Sequence, residues 1–74
     1  MSKHAIDLVP ALLVAAAKGQ TMTVAAVVDT FTDDEFFAVN HRVAVCHQTD
    51  EGEPVLAAVL AQRANRIDRA AVDA

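Results

Sequence analysis

Apolar positions along the chain fall into four groups parted by short polar breaks. In the first, Val9, Leu12, Leu13 and Ala16 recur at the three- and four-residue spacing of one helix face. Asp7 stands before them as an N-cap, and Pro10 falls in the first turn, where its missing N–H does no harm. Gly19, directly after Lys18, is a stop signal. The spacing predicts a helix over 8–18 behind an arm at 1–6. In the second group Val24, Val27, Val28 and Phe31 keep the same period, with Thr21 or Thr23 as cap, predicting a helix over 23–31. Its β-branched content also suits a strand. Ala25–Ala26 and the apolar spacing favour the helical period.

The third group opens on Thr32-Asp33-Asp34-Glu35. This is a capping box: threonine at N-cap, glutamate three residues on, and carboxylates over the positive helix end. Phe36, Val39, Val43 and Cys46 form one stripe, with Phe37 and Ala44 beside it, over a helix at 33–47. Val43–Cys46 also reads as a short strand. Gln48–Glu53 is a polar turn holding Gly52, and Pro54 then takes the first position of a helix over 54–70. Val55, Leu56, Val59, Leu60 and Ile67 supply its apolar face, extended by Ala64 and Ala71, with Arg63, Arg66 and Arg69 around the polar side. Residues 71–74 read as a fraying tail. The fold class is all-α: a small bundle of four short helices in a single domain.

Composition thins the core that this pattern promises. The chain has 74 residues and is 54% hydrophobic, but sixteen of its forty hydrophobic residues are alanine. Alanine favours helix and buries little area. Ordering a chain costs roughly 1.5 kcal/mol per residue, so a core this small leaves little margin. Self-association or docking on a partner is therefore expected, and a homodimer is the first form considered. Cys46 is the only cysteine, which excludes an intrachain disulfide framework and suits a buried thiol in a reducing, cytoplasmic setting. The longest apolar run, Leu8–Ala17, is ten residues, too short to cross a bilayer. Lys3 and His4 before it give a thin imitation of a signal peptide, spoiled by Asp7. No membrane role is expected.

The formal net charge is -4, and its distribution is uneven. Seven acids against Arg42 alone occupy residues 29–53, whereas both flanking segments are slightly basic. Part of the acidity serves helix starts. The rest makes Asp33, Asp34, Glu35, Asp50 and Glu51 candidate contacts for a basic partner, and Arg63, Arg66 and Arg69 candidate charge contacts of the opposite sign.

Chemistry-bearing residues are few. Cys46 and His47 are chain neighbours and diverge by about 100° on a helix, so they do not make a nucleophile and base. His41, Cys46 and His47 lack the three- or four-residue spacing that aims two helical ligands at one ion. No enzyme activity, metal or other cofactor is expected. The second and third helices have the outline of a helix-turn-helix, with Thr23–Thr30 first and Asp33 opening the reading helix. That helix would bring Asp33, Asp34 and Glu35 against phosphates, so nucleic acid is the alternative partner rather than the first.

A protein partner is the leading expectation. The first helix is apolar nearly all round, which requires neighbours on every side. Leu8, Leu12 and Val14 on it, and Val55, Leu56, Val59 and Leu60 on the last helix, are the candidate apolar contacts for a partner or a second copy. The functional reading is a non-catalytic acidic interaction module, acting as a regulator, inhibitor or adaptor. Short acidic chains of this kind are frequent in phages and mobile elements; that is a base rate for small proteins, not a property of these residues.

Overall fold

A 3-10 turn, Ala5–Leu8, leads into four helices: α1 (Val9–Ala17), α2 (Thr21–Asp29), α3 (Asp33–Cys46) and α4 (Glu53–Asp73). The computed structural model describes residues 5–73. Among them there is no strand, so both segments whose β-branched content suited a strand are helical. The chain is a small all-α bundle.

Local chemistry explains most of the boundaries. α1 stops in a Schellman motif. The Gln20 N–H donates to Ala15 O and the Gly19 N–H to Ala16 O, each at 3.0 Å. Gly19 takes the left-handed conformation at φ 79°, which a side chain would strain. α3 starts at the expected capping box. The Glu35 N–H donates to Thr32 Oγ1 at 3.2 Å, and the Thr32 N–H donates to Glu35 Oε1 at 2.8 Å.

Four local expectations need correction. Asp7 does not cap α1; it lies inside the 3-10 turn, Leu8 is the N-cap, and no side chain caps the helix. A tight turn running into an α-helix already orders its entry. Ala5 and Ile6, expected within an arm at 1–6, belong to this turn instead, and Ala5 is buried; positions 1–4 lie outside the described residues. α2 begins at Thr21 without a side-chain cap, so neither Thr21 nor Thr23 is its N-cap, and it ends at Asp29. Phe31 reaches the core from the connection instead. α4 runs from Glu53 to Asp73, which places Pro54 second and makes 71–73 helical, with Ala74 outside the described residues.

The core collects Val9, Leu12, Leu13 and Ala16 from α1, Val24 and Val28 from α2, Phe36, Val39 and Val43 from α3, and Leu56, Val59 and Leu60 from α4. α4 packs against all three other helices, and the 3-10 turn packs against α3. The hub is thus α4 rather than the more apolar α1. With 21 residues it is about 31 Å long, enough to run past every other helix. Gly52 is buried at its start. An added Cβ would lie 2.1 Å from Leu13 O, so glycine lets the α3–α4 connection press on the α1 backbone.

Candidate functional site

Folding brings the basic end of the sequence onto its acidic middle. Arg63 is mostly buried. One of its guanidinium nitrogens donates to Val28 O at 2.5 Å, and the other lies 3.4 Å from Asp33 Oδ1. Its guanidinium carbon sits 5.1 Å from the centroid of the Phe36 ring. Arg66 donates to Asp29 Oδ1 at 2.7 Å, with both partners exposed. These contacts form a seam where the end of α2 and the start of α3 meet α4, alongside a shallow cleft. Asp33, Arg63 and Arg66 are therefore engaged within the chain. Arg69 is exposed further along α4.

The remaining predicted acids do not form one surface. Asp34 is exposed at the start of α3, while Glu35 is half-buried in the capping box. Asp50 Oδ2 lies 2.7 Å from His47 Nδ1, closing the far end of the same helix. Glu51 is exposed beside it, on the rim of a groove lined also by Pro10 and Val14. The acidic middle of the sequence is thus split between the two ends of α3. A 14-residue helix separates them by about 21 Å.

The predicted apolar contacts need a larger correction. Leu12, Leu56, Val59 and Leu60 are all buried, from 0% to 4% exposed, and form the core of this single chain. Leu8 and Val55 are half-buried and packed against that core. Of the seven, Val14 alone is open, at 54%. Helical spacing identified side chains that need cover but not what covers them. The intramolecular core supplies it for all but Val14, which stands with exposed Pro10, Ala11 and Ala17 in a strip of small apolar side chains on α1.

The exposed aromatic side chain stands elsewhere, on the outer face of α3, together with an exposed valine. Phe37 is 55% exposed and Val45 62%. They stand eight residues apart with exposed His41 midway, so the three follow a line along the helix that turns about 40° per step. Asp34 opens the line and Arg42 flanks it. Ile6, Ala38 and Cys46 complete a shallow groove at its edge. Phe36 and Phe37 pack ring to ring at 5.2 Å, so the buried Phe36 buttresses the exposed one. The spacing 37/41/45 was readable in the sequence, but Phe37 and Ala44 were read there as flanking the core stripe. Both are exposed. Cys46 is exposed as well, not buried: it lies only about 20° around the helix from buried Val39, but it is the last residue of α3, at the helix's open end. Met22 is 88% exposed on its own on α2.

Among the described residues no three His, Cys, Asp or Glu side chains are grouped to hold a metal ion, and no helix is long and apolar enough to cross a membrane. Compared with family models, curated proteins and solved structures, the chain finds no match.

Proposed function

We propose that this chain is a non-catalytic protein-interaction module, of the regulator, inhibitor or adaptor kind, and that it binds through the outer face of α3. The observation that supports this reading is the half-open Phe37, held on a capped helix by the buried Phe36 ring and aligned with Val45. Interface energy concentrates in aromatic anchors of this type, and a preordered anchor loses little entropy on binding. Asp34 and Arg42 supply a polar rim. A reducing, cytoplasmic setting suits the exposed thiol of Cys46. Nucleic acid is disfavoured by the acidic first turn of α3, where Asp33 and Asp34 are both exposed.

The reading is tested by affinity capture with the native chain and with Phe37→Glu, each with and without nuclease. Protein retained after nuclease by the native chain and lost with Phe37→Glu is the expected result. Captured material that vanishes with nuclease would replace this reading with the helix-turn-helix one. Capture indifferent to Phe37→Glu would remove α3 as the binding face.

A further inference from the structure

We infer that the occupant of the α3 outer face is a second copy of this chain, paired antiparallel about a two-fold axis near Ala38. The inference rests on the binding face proposed above and names its partner from the order of charges along it. The face begins with Asp34, carries Phe37 and His41 along its middle, and has Arg42 on its flank before Val45. Arg42 is the single Lys or Arg in residues 29–53. A uniformly basic partner would meet Arg42 and His41. A uniformly acidic one would meet Asp34 and a chain of net charge -4. The face fits a partner bearing the reverse order, basic before acidic. The same helix turned end for end presents that order.

The register follows from the spacing. Asp34 and Arg42 are eight residues apart, about 12 Å along the helix. A two-fold axis midway passes Ala38, whose short side chain lets two helices approach to the usual 8–10 Å. Each Asp34 then faces the other copy's Arg42, and the two Phe37 rings meet beside the axis. Such an interface is isologous and closed, as two-fold pairing requires. Antiparallel helices also set their dipoles favourably, the acid-capped start of one beside the end of the other. The core residues first considered for self-association take no part, so pairing does not require the monomer to open.

Sedimentation velocity over a concentration series up to about 500 µM tests the inference. The native chain should show a monomer–dimer equilibrium, and Phe37→Glu should weaken it at least about tenfold. Asp34→Arg and Arg42→Asp should each weaken it several-fold, while the double variant Asp34→Arg/Arg42→Asp should recover most of the loss, because the charge order is inverted in both copies. All substituted sites are exposed, and circular dichroism verifies that each variant keeps its helices. A native chain monomeric throughout, a dimer indifferent to Phe37→Glu, or a double variant as weak as the singles would each overturn the inference. In the first case, capture of a different protein that still depends on Phe37 would leave the proposed function standing. Loss of the Phe37 dependence in both assays would remove both.

Discussion

The guanidinium of Arg63 lies over the ring of Phe36, 5.1 Å from its centroid, and links α4 to α3 where the two helices pack together. The ring itself is fully buried. The cation thus acts as a lid. Its aliphatic stem covers apolar surface, its head donates to the Val28 carbonyl, which also accepts from the Phe31 N–H at 3.2 Å, and the Asp33 carboxylate offsets its charge.

Arg63→Ala should therefore cost about 1.5 kcal/mol, combining the lost cation–π contact with the lost packing of its stem and its hydrogen bond, while the Val28 carbonyl keeps the Phe31 N–H. Arg66→Ala removes a pair exposed on both sides and should cost less than about 0.5 kcal/mol. Urea unfolding of the two variants measures the difference. Equal costs would mean that the seam is a surface charge pair and not a lid.

The two glycines should respond differently to alanine. Gly52→Ala places a Cβ 2.1 Å from Leu13 O and 3.0 Å from Ala17 N, both backbone atoms with little room to yield. A cost of about 3 kcal/mol is expected from the overpacking. Gly19→Ala meets nothing within 4 Å and carries only the strain of positive φ, about 1 kcal/mol. Thermal unfolding ranks them, and a larger effect at Gly19 would contradict the close approach of the connection to α1.

Thr32→Ala deletes the acceptor for the Glu35 N–H and should cost about 1 kcal/mol. Thr32→Ser retains an oxygen there and should cost much less. Chemical denaturation of the pair reads the difference, and equal losses would show that the hydroxyl does not carry the cap.

Leu56→Ala empties part of a fully buried site and should cost about 3 kcal/mol in a monomer. Val14→Ala, at an exposed site, should stay within about 0.5 kcal/mol. Unfolding measured at two protein concentrations separates core from interface. A Leu56→Ala penalty that shrinks with dilution would return α4 to the role of an assembly face.

Helix class was legible in the residues because its causes are local. The capping box at Thr32–Glu35, the stop at Gly19 and the 3.6-residue period each act within one or two turns. The candidate binding face was only half legible. The 36/39/43 spacing put Phe36 in the core stripe, as the structure has it, but Phe37 was read as flanking that stripe rather than as open. The helix rotation that buries one and opens the other depends on Val39 and Val43 meeting α4 and the 3-10 turn, not on the aromatics themselves.

By itself, then, the sequence determined where this chain coils and which side chains must leave water, since spacing and capping are properties of neighbouring residues. Only tertiary structure decided what they leave water for. Leu12, Leu56, Val59 and Leu60 look as suited to a second copy as to one another, and packing within the chain settled the choice. The pairs Asp33–Arg63 and Asp29–Arg66 span 30 and 37 residues, beyond the reach of any local rule. Chain closure set them, because α4 must cross the other three helices to cover its own apolar face, and crossing carries its arginines to the acidic ends of α2 and α3.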